Sequence, residues 1–226
     1  MNLEGESPME HREQVFQTIN RIAVPLFLAF NLGVGLWNTL QRRWYYAALG
    51  FGFLLLPLLL RLFYQVTKRR RCHQLDFLVY VFAFLLYTVG LALRWYAFVP
   101  YYDKAAHTLS GVALALFGLL LFHFLSPEKS MEAARFPLAA AFVMAVVAGA
   151  GGLWEIGEYA ISLLFRTDPQ NVLTTGVSDT MLDMIVCNLG GLAVLPSLYA
   201  YMKRGKGSFL LGVFHTVAMQ KEEPAS

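Results

Sequence analysis

Hydrophobic residues run along the chain in six long stretches separated by short polar segments. The stretches cover approximately residues 20–40, 44–66, 75–98, 104–125, 136–165 and 179–202. Each can cross a membrane as a helix, because a hydrocarbon core of about 30 Å needs about 20 apolar residues. The pattern therefore predicts an all-α fold, a polytopic membrane helix bundle with about six transmembrane helices, in which residues 20–203 form the transmembrane domain.

Composition supports this prediction and argues against other classes of protein. Hydrophobic residues make up 57% of the chain and the mean hydropathy is +0.51, which is too high for a soluble domain. The net charge of +3 is small, and the basic residues lie at the ends of apolar stretches, so we expect no nucleic-acid partner. The acidic N-terminus lacks the basic start of a signal peptide, and we expect the first span to be retained.

The Lys and Arg residues are divided unequally between alternate connections. One side of the membrane receives twelve of them and the other receives four. Because cytoplasmic loops carry the excess of basic residues, both termini are predicted to be cytoplasmic, as tails of residues 1–19 and 204–226. The run Lys68–Arg71 could also bind anionic lipid, although fixing the orientation is the simpler explanation.

Ionisable residues in the second half of the chain occur as pairs three or four residues apart, a spacing that places both members on one helix face. The pairs are Asp103 with His107, Glu155 with Glu158, and Asp179 with Asp183. The fourth and sixth spans begin at the outer face and the fifth ends there, so all three pairs are predicted to lie in the outer half of the membrane. Three helices could bring these side chains to one level.

Acids inside a membrane each need a partner or a function, because their insertion costs roughly 2.5–3.5 kcal/mol at a helix centre. Five carboxylates placed together would also repel one another. A divalent metal ion is the simplest positive partner, since Asp, Glu and neutral His are suitable ligands for Mn, Fe, Mg or Zn. Arg94 and Lys104 are the alternative, as salt-bridge partners.

The paired residues can be assigned to roles on this basis. We predict His107, Glu155, Glu158 and Asp183 as metal ligands. We predict Asp103, Glu158 and Asp179 as catalytic residues. A structural explanation competes for some of them: Asp103 and Asp179 could be first-turn acids favoured by the helix dipole, and His107 could be a hydrogen-bonded core histidine.

The order of these motifs resembles the YjdF family of bacterial inner-membrane proteins. The motifs are Asp103-Lys104-x-x-His107, Glu155-x-x-Glu158 and Gly176-x-x-Asp179-Thr180-x-x-Asp183, followed by Asn188 and Gly190. The motif-bearing part is 75–203, and it is more remotely similar to VanZ-like proteins, which carry Gln and Arg where this chain has Glu158 and no equivalent Arg. The resemblance implies a multi-pass protein of the cell inner membrane, surrounded by membrane lipids, and it implies no particular reaction.

Three hypotheses from different classes are compatible with the motifs. The first is a metal-dependent enzyme that acts on a lipid or lipid-linked substrate from the outer leaflet. The second is a cation- or proton-coupled transporter, although the inner halves of the spans lack acids that would continue a path. The third is a structural or partner-binding protein in which the polar residues hold helices together.

Overall fold

The hydrophobic stretches form helices, and the computed structural model describes residues 8–127, 131–166, 168–205 and 209–218. Every regular element within these ranges is helical. The helices are α1 (Pro8–Leu40), α2 (Trp44–Gly52), α3 (Leu56–Thr67), α4 (His73–Ala83), α5 (Trp95–Phe98), α6 (Tyr102–Leu125), α7 (Phe136–Phe165), α8 (Val172–Thr175), α9 (Ser178–Arg204) and α10 (Phe209–Ala218). A 3₁₀ turn at Phe53–Leu55 joins α2 to α3, and a π-helical segment at Phe84–Ala92 extends α4.

Six helical segments of the described chain are long and apolar enough to cross a membrane. They are Glu10–Leu40, Trp44–Thr67, His73–Ala92, Tyr102–Leu125, Ala133–Phe165 and Ser178–Arg204. The all-α fold and the predicted number of spans are therefore confirmed. The orientation of the termini and the bounds of the two tails remain predictions.

The ends of two spans differ from the hydropathy pattern for local reasons. Helix α1 begins at Pro8, so much of the segment 1–19 continues the first span as helix, and Glu10 lies in its first turn, where the helix dipole favours an acid. The third span ends at Ala92 rather than near residue 98. The left-handed backbone of Arg94 (φ 64°) then separates it from α5.

The chain divides into two compact units, residues 1–100 with 215–226, and residues 101–214. In the first unit, α1 packs on α2 and α4. Its interior contains a hydrogen bond between two buried polar side chains: Thr88 donates its hydroxyl to Asn31 Oδ1 at 2.8 Å, and Asn31 Nδ2 donates to the Phe27 carbonyl at 2.9 Å. Asn31 is therefore satisfied inside an apolar span, where an unpaired amide would be destabilising.

Polar contacts also fix the connection between α3 and α4 in the first unit. Asp76 is fully buried and accepts hydrogen bonds from Tyr64 Oη at 2.9 Å and from Arg71 Nε at 2.5 Å. From α1, Glu13 Oε2 accepts the backbone N–H of His73 at 2.6 Å, and Glu13 Oε1 lies 3.4 Å from Cys72 Sγ. Glu13, on α1, thus accepts a hydrogen bond from a backbone N–H at the start of α4. A capping residue adjacent to the helix usually provides this acceptor.

In the second unit, α6 packs along α9, and α7 contacts both of them. Glycines bring α6 and α9 into backbone contact. A Cβ atom added to Gly111 would overlap the carbonyl oxygen of Cys187, and one added to Gly190 would overlap the carbonyl oxygen of Thr108. Small residues that permit such an approach are typical of membrane helix pairs.

We expect Gly111→Ala and Gly190→Ala each to destabilise the protein by about 1–3 kcal/mol, because the new methyl group would push α6 and α9 apart. Thermal unfolding in detergent measures the effect. Gly149→Ala on α7 is the matched control, since nothing lies within 4 Å of a Cβ added there. Equal unfolding temperatures for all three variants would contradict the close contact.

Cys72 gives a pH-dependent prediction for the first unit. Burial, reinforced by the neighbouring Glu13 carboxylate, raises the pKa of the Cys72 thiol from 9.0 to about 12. Its contribution to stability is complete below pH 9 and is lost as the pH rises from 9 to 12, because only the unfolded chain then releases the proton. We expect Cys72→Ala to lose less stability than wild type between these pH values, as measured by chemical unfolding. Parallel pH curves for the two proteins would rule this out.

Candidate functional site

Lys104, on the first turn of α6, lies among carboxylates from two helices. Its Nζ is 3.1 Å from Asp103 Oδ2, 2.5 Å from Asp179 Oδ1 and 2.8 Å from each Asp183 oxygen. Asp183 is almost fully buried, and Asp179 and Lys104 are mostly buried. Of the two cations that the sequence offered as salt-bridge partners, the structure therefore selects Lys104. Arg94 instead lies over the ring of Phe98, 5.3 Å from its centroid.

The acids reach Lys104 because of where α6 and α9 begin. Asp103 and Asp179 are each the second residue of their helix, in the first turn, where the helix dipole stabilises a negative charge. Asp183 follows one turn after Asp179 and faces the same way. The helix-dipole explanation for Asp103 and Asp179 is thus compatible with the contacts that both residues make with Lys104.

His107 lies beside the same carboxylates. Its Nε2 is 3.6 Å from Asp103 Oδ1 and 3.8 Å from Asp183 Oδ1. One ligand atom each from Asp103, His107 and Asp183 lies within 4.8 Å of the others, a spacing that allows all three to reach one metal ion. A mixed set of two carboxylates and an imidazole suits Mn, Fe or Zn. We call these residues the Asp103–His107–Asp183 group.

Glu155 and Glu158 lie near this group but outside it. Glu155 is 5% exposed; its Oε2 accepts a hydrogen bond from Gln170 Nε2 at 3.1 Å, and its Oε1 is buried with no hydrogen-bond partner in the described ranges. Glu158 Oε1 accepts from Trp154 Nε1 at 2.9 Å, and Glu158 is close enough to Asp103 and Asp183 for charges to interact. Their role as metal ligands remains a prediction.

Charge is unbalanced in this part of the second unit. The described residues here include five carboxylates and one ammonium, which leaves four negative charges (five minus one) when all are ionised. The carboxylates are Asp103, Glu155, Glu158, Asp179 and Asp183, and the ammonium is Lys104. Uncompensated buried charge is strongly unfavourable, so the site needs further protons or a further cation.

Two amide side chains that the motifs did not identify also contact the acids. Gln170 donates through Nε2 to the Glu155 carboxylate and to its backbone carbonyl, at 3.1 and 3.0 Å. Asn171 donates through Nδ2 to Asp179 Oδ2 at 2.7 Å. Both lie in the connection between α7 and α8, next to Pro169. The signal that could have identified them is adjacent amides in the loop that joins the two acidic spans.

Asn188 and Gly190, the later residues of the motif, have local structural roles. Asn188 Nδ2 donates to the Met184 carbonyl within α9 at 2.8 Å, and Gly190 allows α9 to approach α6. Both therefore support the helix that carries Asp179 and Asp183.

The Lys104 contacts predict a large coupling between α6 and α9. Lys104→Met should destabilise the protein by on the order of 2–5 kcal/mol, because it leaves buried acids without their shared cation. In the double variant Lys104→Met, Asp183→Asn, part of this loss should be recovered, since one of those acids is now neutral. Unfolding in detergent of the single and double variants measures the coupling. Strictly additive effects would show that Lys104 and Asp183 do not interact.

Comparison with known families places the chain among membrane proteins. A family model described as "Predicted membrane protein (DUF2238)" matches residues 19–204, a range that contains all of the site residues. The description names neither the YjdF family nor VanZ-like proteins, and nothing found supports the VanZ resemblance. No curated protein and no solved structure matches the chain. The chain therefore belongs to the DUF2238 family of predicted membrane proteins.

Proposed function

We propose that this protein is a divalent-metal-dependent membrane enzyme that acts on a lipid or lipid-linked substrate. The observation that carries the proposal is the Asp103–His107–Asp183 group, whose ligand atoms lie within 4.8 Å of one another. Three protein ligands are the usual number in a catalytic zinc site, where a further coordination position is available to water or substrate. The excess of carboxylates over ammonium groups supports a bound cation.

Lys104 has a defined part in this proposal. Its ammonium occupies the space between Asp103 and Asp183 and balances part of their charge without a metal. A divalent ion at the group would take over the charge balance at these two acids, while Lys104 keeps its contact with Asp179. An ammonium beside a metal ion suits an anionic group of a substrate, such as a phosphate ester.

The remaining acids are the candidate bases. A metal ion would lower the pKa of a bound water, so that a neighbouring carboxylate could accept its proton. Asp179 and Glu158 are each fixed in position by hydrogen bonds. Lys104 and Asn171 donate to Asp179, and Trp154 donates to Glu158. Trp154 is itself exposed on α7, a helix that is apolar enough to span the membrane, so a lipid could approach Glu158 from the side.

A location in the cell inner membrane, cytoplasmic termini and membership of the YjdF family belong to the same proposal. They rest on the distribution of basic residues and on the order of the motifs.

One observation favours a structural role as the second candidate. Lys104 on α6 contacts Asp179 and Asp183 on α9, so these three charged residues could serve only to hold the two helices together. This alternative needs no metal ion, and it predicts that any change to Lys104 weakens the protein without changing its metal content.

Metal analysis distinguishes the two candidates. Protein purified with Mn²⁺ or Zn²⁺ should retain the ion, and Asp103→Asn, His107→Gln and Asp183→Asn should each lose it. Asp179→Asn is the matched control, because it removes a carboxylate bound to Lys104 that lies outside the group. Lys104→Gln should bind metal more tightly, since it removes a competing cation. A folded wild-type protein that retains no metal would disprove the enzyme proposal and favour the structural one.

Turnover tests the catalytic part separately. We expect metal-loaded protein incubated with a membrane lipid extract to convert a component that mass spectrometry can detect, and a chelator to stop the conversion. Asp179→Asn should retain the metal but slow turnover by about 100-fold or more if Asp179 is the base, and Glu158→Gln should do the same if Glu158 is the base and not a metal ligand. Turnover at the wild-type rate in both metal-loaded variants would exclude both residues as bases.

A further inference from the structure

The connection between α3 and α4 in the first unit carries four consecutive cations, Lys68–Arg71. The side chains of Lys68, Arg70 and Arg71 are exposed, and Arg69 is partly buried. Arg71 is paired with Asp76 through Nε, yet about half of its side chain remains exposed. The turn therefore presents several positive charges over a short distance at the end of two membrane-spanning helices.

The backbone of this turn is fixed by hydrogen bonds to the end of α3. Lys68 adopts a left-handed conformation (φ 51°), and its N–H donates to the Gln65 carbonyl at 3.4 Å. The N–H of Arg69 donates to the Tyr64 carbonyl at 3.1 Å. These bonds close the last turn of α3 in the manner of a left-handed helix C-cap.

Side-chain contacts fix the other half of the turn. Asp76 binds both Arg71 and Tyr64, and the Tyr64 hydroxyl also donates to the Cys72 carbonyl at 3.2 Å. Glu13 then holds the N–H of His73. Because both ends of the turn are anchored, a ligand that binds there would lose little conformational entropy by ordering it.

Exposed apolar side chains adjoin the cations on α3. Val66, two residues before Lys68, is 79% exposed, and Leu62 and Phe63 are exposed one turn earlier. In a membrane these side chains face acyl chains, while the turn meets the headgroups of the adjacent leaflet. Cations above an apolar helix surface match the two parts of an anionic phospholipid.

We propose that the Lys68–Arg71 turn is a preorganised binding site for the headgroup of an anionic phospholipid, whose acyl chains lie along α3. The site is independent of the metal-dependent function. The same cations that fix the orientation of the protein would also select the lipid next to it. Phosphatidylglycerol is the probe, because it presents one phosphate charge without a compensating amine.

Native mass spectrometry of the purified protein titrated with phosphatidylglycerol tests the proposal. The double variant Lys68→Gln, Arg70→Gln should weaken binding by about fivefold for each charge removed, the equivalent of about 1 kcal/mol per residue. The matched control is Arg42→Gln, Arg43→Gln, which removes two exposed cations just before Trp44, at the opposite end of the span Trp44–Thr67. Equal effects of the two double variants would overturn the site.

A second variant tests the fixed geometry. Asp76→Asn leaves all four cations and makes the local charge more positive, but it weakens the anchor of Arg71 and Tyr64. We expect weaker phosphatidylglycerol binding, whereas a purely electrostatic surface would bind it more tightly. Should Asp76→Asn fail to fold, Tyr64→Phe removes a single anchoring hydroxyl, and binding equal to wild type would then contradict preorganisation.

Two further ligands define the specificity. Phosphatidylcholine should bind more weakly than phosphatidylglycerol, and inorganic phosphate should not displace the bound lipid. Equal binding of the two lipids, or displacement by phosphate alone, would overturn the assignment to an anionic lipid.

Discussion

The shared contact of Lys104 with acids of two helices is the interaction on which the second unit depends. Asp103 belongs to α6, while Asp179 and Asp183 belong to α9, and the ammonium lies within 3.1 Å of an oxygen of each. In a low-dielectric interior such contacts are strong only if the geometry is good, because each charge has been removed from water. The position of Lys104 therefore constrains how α6 and α9 can be placed against each other.

Glycine makes this placement possible. Lys104 can reach two acids on α9 because the backbones of α6 and α9 approach closely at Gly111 and Gly190. A bulkier residue at either position would separate the helices and lengthen the contacts between Lys104 and Asp183. Packing at Gly111 and Gly190 therefore determines the distances between Lys104 and the acids of α9, and the acids and these two glycines act on one helix–helix interface.

Hydropathy was sufficient to predict the spans, because the need for a long apolar segment is a property of each segment alone. The spacing of Asp103 with His107 and of Asp179 with Asp183 likewise follows from helical periodicity. The choice of Lys104 over Arg94 could not be predicted in this way, since both are basic residues near span ends. It depends on which helices are neighbours, and this is set by side-chain packing between segments distant in sequence.

Prediction from the sequence is limited in the same way for the two side-chain amides of the α7–α8 connection. Gln170 and Asn171 are adjacent amides in the loop between two acidic spans, but a loop has no periodicity, so the sequence does not assign either of them to Glu155 or to Asp179. Only the three-dimensional fold brings them into hydrogen-bond contact. A tertiary contact also explains why α1 begins before the first hydrophobic stretch. Glu13, in the polar first part of α1, accepts a hydrogen bond from the start of α4.

The two units differ in how the charges of their buried acids are balanced. In the first unit, the buried Asp76 is paired with Arg71 and accepts a hydrogen bond from the Tyr64 hydroxyl, so its charge is balanced and each carboxylate oxygen has a donor. In the second unit, one ammonium serves three carboxylates, and the buried Glu155 oxygen has no hydrogen-bond partner among the described residues. A purely structural contact would be more stable with fewer acids, as at Asp76. The excess of acid around Lys104 instead leaves negative charge that further protons or a further cation must balance, and the proposed metal site rests on this imbalance.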